Sequence, residues 1–159
     1  MGRIYIALDP ALRTGVAYRT GELSAFVWDC RGKKGAEYGV RYQLFARYLR
    51  GLLKSVDPDG VVYEQAPIAR GYDAQRNSYG FEAVLNLVCQ EYGVPCFPVH
   101  ARTLKKWATG NGNATKEEMI RAAVERFGYR PACEPDDNEA DAVCLLAYAE
   151  NECEVTGRD

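Results

Sequence analysis

The sequence predicts a mixed α/β domain, in which three antiparallel strands are extended by two parallel strands and flanked by helices. Three strand-like runs near the amino terminus are separated by turns too short for a crossover, which favours antiparallel pairing. After residue 60, strand-like and helical patterns alternate, and this order is typical of parallel pairing. A length of 159 residues, with 47% hydrophobic and 26% charged residues, suits one globular domain spanning residues 1–159.

The three strands of the predicted meander lie at residues 3–9, 15–19 and 23–29. The first alternates between two faces and ends in Asp9, followed by turn residues. A three-residue turn around Gly21 joins the other two strands, so neighbouring strands run in opposite directions.

A helix is predicted over residues 36–56, because apolar residues recur there every three to four positions. A turn containing Pro58 and Gly60 ends it, and a short apolar strand at 61–64 then ends in Glu64. Acids at the carboxyl ends of neighbouring strands would face one crevice.

The second half of the chain is predominantly helical. One strand is predicted at residues 94–99, and helices are predicted at 77–92, 101–108, 115–127 and 137–150. No internal repeat or linker interrupts this order, and the tail after about residue 151 is expected to be flexible.

The charge balance excludes a general attraction to polyanions, since 20 basic residues face 22 acidic ones and the formal charge is −2. Nucleic acid could bind only through local patches. Residues 31–54 carry seven basic side chains and one acid, whereas residues 134–154 carry eight acids and no base. The first segment is therefore a candidate surface for phosphate.

Cysteine and histidine usage narrows the possible chemistry. Six cysteines form no C-x-x-C pair and His100 is the single histidine, which disfavours zinc sites. No nucleophile motif is present, so catalysis would depend on carboxylates. The apolar runs are too short for a membrane span and no signal peptide is apparent, so we expect a cytoplasmic protein.

Acidic residues cluster where the last predicted helix begins. Asp136 is placed to cap the helix, which accounts for part of the cluster. Asp137 and Asp141 are four residues apart and therefore share a face. Because Asp141 lies beyond the cap among small apolar residues, it needs a cation or hydrogen-bond donors. Together with Asp9 and Glu64 it would form an all-oxygen site suited to Mg²⁺ or Mn²⁺.

Four segments in the same order resemble the RuvC Holliday junction resolvases of the RNase H-like superfamily. They are IALDPALRTGVAY, VVYEQ, HARTLKKWATGNGNATKEEM and NEADAVCLLAYA. The resemblance covers most of the chain, and the motif DDNEADA is most similar to the bacteriophage branch of the family. It implies an RNase H-like mixed sheet.

The resemblance also implies a set of metal ligands and cofactors. Asp9, Glu64 and Asp141 match the family's ligands, and the fourth comes from Asp137 or Asn138. We favour Asp137 because an asparagine adds no charge. Two Mg²⁺ ions per site are expected, with Mn²⁺ as a substitute, so these four carboxylates are predicted to be both catalytic and metal-binding.

Basic residues near this site are predicted to contact DNA. By the same matching, Lys105 and Lys116 lie near the scissile phosphate, and Lys116 is also assigned a catalytic role. Arg70 and Arg76 follow Glu64 in a loop that would border the crevice. The family's junction-inserting aromatic is replaced here by residues 66–68.

The resemblance implies a magnesium-dependent endonuclease that resolves four-way DNA junctions by paired symmetric nicks, acting as a homodimer. The helix after Glu64 contains Ala83, Leu85, Val88 and Cys89, which form either a dimer face or a stripe that packs in the core. Within the same fold, the alternatives are a nuclease for other branched DNA or for RNA. Outside it, they are a junction-binding protein without cleavage and an actin-like ATP-binding lobe.

Overall fold

The computed structural model describes residues 2–68 and 70–155, with side chains described up to Cys153. The strands are β1 (Tyr5–Asp9), β2 (Arg13–Thr20), β3 (Glu22–Asp29), β4 (Gly60–Glu64) and β5 (Cys96–Val99). The helices are α1 (Tyr38–Val56), α2 (Tyr72–Glu91), α3 (Ala101–Thr109), α4 (Lys116–Phe127) and α5 (Asp137–Val155).

The five strands form one mixed sheet in the order β3-β2-β1-β4-β5. β1 pairs antiparallel with β2, and β2 pairs antiparallel with β3. β4 lies parallel to β1 on its other side, and β5 lies parallel to β4. The predicted fold class, a three-stranded meander extended by two parallel strands, is confirmed.

Helices cover both faces of the sheet. Ile6 and Leu8 of β1 pack with α1 and α2, while Tyr5 and Ala7 pack with α3, α4 and α5. Because β1 is central and successive side chains point to opposite faces, all four residues are buried. The chain is therefore layered as helices, sheet and helices.

Two helices extend beyond their predicted bounds by more than one residue. α2 begins at Tyr72, five residues before the prediction, because its first residues are exposed and add nothing to the apolar periodicity. α5 continues to Val155, past the predicted start of the flexible tail, and residues 156–159 lie outside the described residues. Within the described residues, none of these helices combines the length and apolarity that a membrane crossing requires.

Core packing, the alternative to a dimer face on α2, accounts for three of the four residues. Leu85, Val88 and Cys89 are buried in the core between α1, α2 and the sheet, since the apolar stripe of α2 faces the sheet. Ala83 is exposed and lies one turn from Tyr79 and Leu87, which are also exposed.

Candidate active site

Strand periodicity places Asp9 and Glu64 on the same face of the sheet. Ala7 and Val62 both pack in the core beneath α5, and Asp9 and Glu64 each come two residues later on the same strands. Since side chains of a strand repeat every two residues, both carboxylates point to the α5 side. β1 and β4 are parallel neighbours, so the acids lie at the same edge, as predicted.

Gly15 allows α5 to approach this edge. It is the register partner of Asp9 on β2, and a Cβ atom there would lie 2.0 Å from the Asn138 carbonyl oxygen. Only glycine therefore lets the first turn of α5 lie against the strand. Gly15 is not among the residues predicted to shape the site, although an isolated glycine within a strand pattern is a signal of close backbone approach.

The beginning of α5 is fixed by Asp136. Its Oδ1 accepts hydrogen bonds from the backbone N–H groups of Asn138 at 2.8 Å and Glu139 at 3.2 Å, as an N-cap does. Its Oδ2 forms a 3.1 Å ion pair with Arg13 of β2. The predicted capping role is confirmed, and the cap orients the helix so that Asp141, one turn later, faces the strand ends.

Three carboxylates meet at this point. Asp9, Glu64 and Asp141 each offer a carboxylate oxygen, and these oxygens all lie within 4.8 Å of one another. All three residues are half-buried. An all-oxygen donor set of this kind suits a hard divalent cation such as Mg²⁺ or Mn²⁺, so the residues present fit the predicted metal.

Burial and mutual repulsion raise the pKa of every member of this group. Burial, then the charge of Glu64, holds the pKa of Asp9 well above its ordinary value. Burial, with the charge of Asp141, raises the pKa of Glu64 to about 7. Burial, with the charges of Asp9 and Asp137, raises the pKa of Asp141 to about 7. Three such carboxylates need a cation to remain ionised together.

The two candidates for a fourth ligand lie beside this group rather than within it. Asp137 forms a 3.3 Å ion pair with Lys116, and its charge raises the pKa of both Asp9 and Asp141. Asn138 presents its backbone to Gly15 and lines a cavity of about 320 Å³ between the β1–β2 turn and α2. The assignment of the fourth ligand to Asp137 stays a prediction.

Lysines from α3 and α4 approach the carboxylates. The charge of Lys105 lowers the pKa of both Glu64 and Asp141, opposing the effect of burial. Lys116 begins α4 and its charge also lowers the pKa of Asp141. His100 caps α3, because its Nδ1 accepts a 3.2 Å hydrogen bond from the Arg102 N–H. The two lysines are therefore brought to the site, and the histidine has a structural role.

The loop after Glu64 is held at its base and exposed further along. The Gln65 N–H donates to the Val99 carbonyl, and the Ala66 N–H donates to Oε2 of Glu82, both at 2.8 Å. Ile68 beyond it is 92% exposed. Glu82 is not predicted from the sequence, because its role depends on a contact between α2 and a loop 16 residues away.

The two arginines predicted to border the crevice are both exposed, but their surroundings differ. Arg70 lies in the loop after Glu64. The guanidinium of Arg76 lies over the Tyr38 ring at 4.1 Å from its centroid and 5.9 Å from that of Tyr72. Arg76 therefore also joins the beginnings of α1 and α2.

Comparisons with known proteins agree with this geometry. No protein-family model matches the chain. The crossover junction endodeoxyribonuclease RuvC of Nitratidesulfovibrio vulgaris strain DP4 is 26% identical over 115 residues, covering 71% of this chain and 69% of that protein. The RuvC of Sodalis glossinidius is 24% identical over 160 aligned positions, covering 96% of this chain and 88% of that protein.

Solved structures share the fold. Thermus thermophilus RuvC in complex with a Holliday junction substrate has a TM-score of 0.78 at 18% identity, covering 97% of each chain. The yeast mitochondrial Holliday junction resolvase Ydc2 has a TM-score of 0.62 at 11% identity, covering 98% of this chain and 84% of that one. With its four motifs, its mixed sheet and the carboxylates at its strand ends, this chain is similar to the RuvC proteins in sequence and shares their RNase H-like fold.

Proposed function

We propose that this protein is a metal-dependent endonuclease that resolves four-way DNA junctions by paired nicks. The observation that carries the proposal is the convergence of Asp9, Glu64 and Asp141 within 4.8 Å. These acids come from two strand ends and a helix far apart in the sequence. Their raised pKa values indicate a site built for a bound cation, because burial of several carboxylates without a compensating charge is costly.

The carboxylates and lysines account for the expected chemistry. Divalent ions held by the carboxylates, two per site and Mg²⁺ by preference, would activate a water for in-line attack on phosphorus and stabilise the leaving 3′ oxygen. Lys116 lies at the opening of the site, 78% exposed, and offsets negative charge on the phosphate. Lys105, on α3, is placed to do the same from the side of Glu64.

Symmetric nicking of a junction requires two equivalent sites, so we infer a homodimer that acts in the cytoplasm. The exposed stripe of Tyr79, Ala83 and Leu87 on α2 supports a dimer face there, since these residues are one turn apart on a single helix face. Arg70 is placed to contact DNA from the loop beside the site.

Cleavage of a labelled four-way junction in Mg²⁺ and in EDTA tests the proposal. We expect paired nicks in Mg²⁺ only. Asp9→Asn keeps the side-chain volume but removes a charge, so it should lower the cleavage rate by about a thousandfold or more without abolishing junction binding. Glu125→Gln, an exposed acid on α4, is the matched control and should cleave at the wild-type rate.

Linear duplex, other branched DNA and structured RNA are the comparison substrates. Cleavage of RNA or of simple branches at the rate of the four-way junction would replace the proposed substrate with that one. If the junction is bound but stays intact in both Mg²⁺ and Mn²⁺, the nuclease hypothesis is refuted and the protein is a junction-binding protein without cleavage.

A further inference from the structure

The loop between β3 and α1 forms a strongly basic pocket of about 360 Å³. Leu12 and two glycines line part of it. The other lining residues are four bases and one acid: Arg31, Lys33, Lys34, Arg41 and Asp29. The acid is already neutralised, since Arg31 donates to both oxygens of Asp29, at 2.9 and 2.6 Å. The remaining charge of the pocket is carried by Lys33, Lys34 and Arg41.

Arg41 forms no ion pair with a carboxylate among the described residues. It lies in the first turn of α1 and is half-buried, with Nη1 donating to Oδ1 of Asn77 at 3.2 Å. Its Nε is shielded from solvent and has no hydrogen-bond partner among the described residues. A partly desolvated guanidinium held only by a neutral amide and the Tyr38 ring gains from a bound anion.

The surrounding residues reinforce this preference. In the described part of the chain, no carboxylate forms an ion pair with Lys33, Lys34 or Arg41. The first turn of α1 carries no acid, and no side chain caps this helix, in contrast to α3 and α4. At the positive end of the α1 dipole, the N-cap residue Glu37 is an acid, but it makes no capping hydrogen bond and does not line the pocket.

The pocket lies next to the proposed active site. Leu12, which lines it, follows Asp9 by three residues, so their Cα atoms are at most about 11 Å apart. The backbone N–H of Cys30 donates to the Leu12 carbonyl at 2.7 Å and ties the loop to the turn after β1. This bound holds for the edge of the pocket at Leu12, so the pocket opens near the carboxylates at the end of β1.

We propose that this pocket, centred on Arg41 with Lys33 and Lys34, binds a backbone phosphate of the DNA strand near the cleaved bond. The inference rests on the proposed nuclease function and assigns a second phosphate site to it. The ligand chemistry is a phosphate anion, which a forked guanidinium and two ammonium groups bind together. Fixing this neighbouring phosphate would set the register of the strand at the carboxylates.

Equilibrium binding of the full chain to a four-way junction in EDTA tests the pocket separately from cleavage. Arg41→Gln should weaken binding about tenfold and reduce the slope of log affinity against log salt by about one. Arg47→Gln removes the same charge from an exposed position of α1 outside the pocket, and it should cost less than about twofold. Equal losses in the two variants would overturn the proposal.

A neutral methylphosphonate, moved along the strand around the cut position, identifies the phosphate that the pocket contacts. In the wild type, one position near the cut should lower affinity, and in Arg41→Gln that position should have no further effect. A penalty that is unchanged in Arg41→Gln would overturn the DNA contact. If the methylphosphonate penalty is unchanged and inorganic phosphate raises the Tm of the wild type but not of Arg41→Gln, the pocket binds free phosphate instead.

A double variant guards against misfolding of Arg41→Gln. Lys33→Ala with Lys34→Ala changes two exposed loop residues, so the fold is retained, and junction affinity should fall by about threefold or more. Wild-type affinity in this variant would overturn the proposal. The two hypotheses fail separately: a wild type that cleaves the junction while these variants bind normally refutes only the pocket, whereas a wild type without cleavage refutes the nuclease.

Discussion

The acidic centre of Asp9, Glu64 and Asp141 and the basic pocket around Arg41 are built in opposite ways. The acids are half-buried, come from three separate segments and raise one another's pKa. The lysines of the pocket are exposed and come from one loop. The turn after β1 joins the two regions, so charges of opposite sign and different burial lie close together.

This difference explains how a formal charge of −2 is compatible with a nuclease. A buried carboxylate group requires a cation within the site, and the bound ion then reverses the local charge. Exposed bases remain solvated until a phosphate arrives, and salt screens them. The net charge is an average over these two regions and describes neither of them. A net charge near zero predicts weak affinity for plain duplex, so recognition would depend on the metal and on the shape of the junction.

Apart from loss of a metal ligand, the largest effect should come from a change that disturbs the geometry of the acidic centre alone. Gly15→Ala places a Cβ atom 2.0 Å from the Asn138 carbonyl oxygen and must displace the first turn of α5. A displacement of about 1 Å at Asp141 should lower the cleavage rate at least a hundredfold. Junction binding in EDTA, measured in parallel, should fall much less because the basic pocket is unaffected.

Gly51→Ala is the matched control on α1, the helix that carries Arg41. A Cβ atom there meets nothing within 4 Å, and alanine favours the helix by about 0.5–1 kcal/mol. Its cleavage rate should equal that of the wild type and its thermal stability should rise slightly. If Gly15→Ala cleaved as fast as Gly51→Ala, α5 would not need this close approach to position Asp141.

A smaller effect should identify the fourth ligand of the acidic centre. Asp137→Asn removes a charge that acts on both Asp9 and Asp141, whereas Asn138→Ala removes none. We therefore expect cleavage to fall by about ten- to a hundredfold in Asp137→Asn and by less than about threefold in Asn138→Ala. The Mg²⁺ concentration for half-maximal cleavage should rise in the first variant only.

A further variant distinguishes two roles of Asp137, as a metal ligand and as the ion-pair partner of Lys116. Lys116→Ala removes that ion pair but leaves the carboxylate, so it should lower the rate without changing the Mg²⁺ requirement. Equal Mg²⁺ requirements in Asp137→Asn and Lys116→Ala would show that Asp137 acts through the lysine. Unchanged cleavage in both Asp137→Asn and Asn138→Ala would remove the fourth ligand from this pair of residues.

The fold could be predicted because its signals are local. The turn around Gly21 and the period of two in β1 are properties of a few neighbouring residues, and they determined strand direction and the face of Asp9. The beginning of α2 was missed because Tyr72 and the residues after it are exposed. A helix turn that buries nothing leaves no periodic signal in the sequence.

The site was only partly predictable, because some of its residues act through contacts between segments that are distant in the sequence. The strand-end acids follow from strand periodicity and the family resemblance, but Gly15 and Glu82 act through approaches between distant segments. That Arg41 forms no ion pair among the described residues is likewise a tertiary property, since Asp29 is close in the pocket but pairs with Arg31. A sequence gives the number of charges, whereas the fold decides which of them are neutralised.

The smallest expected effect is a change of thermal stability with pH, which should come from the acidic centre and not from the basic pocket. In the folded state without metal, the pKa values of Glu64 and Asp141 are about 7, against ordinary values of 4.5 and 3.8. The folded chain therefore binds more protons than the unfolded chain between about pH 4 and 7, and stability falls as the pH rises through this window. In EDTA, Tm should be at least about 4 °C higher at pH 6 than at pH 8.

Bound Mg²⁺ compensates the same charges, so it should raise Tm more at pH 8 than at pH 6 and flatten this dependence. Glu64→Gln removes one of the shifted carboxylates and should reduce the slope in EDTA, whereas Lys33→Ala with Lys34→Ala should leave it as in the wild type. A Tm that rises from pH 6 to pH 8 in EDTA would show that the carboxylates are stabilised by protein groups alone. The acidic centre would then not require a metal to be stable, and the contrast with the basic pocket would lose its physical basis.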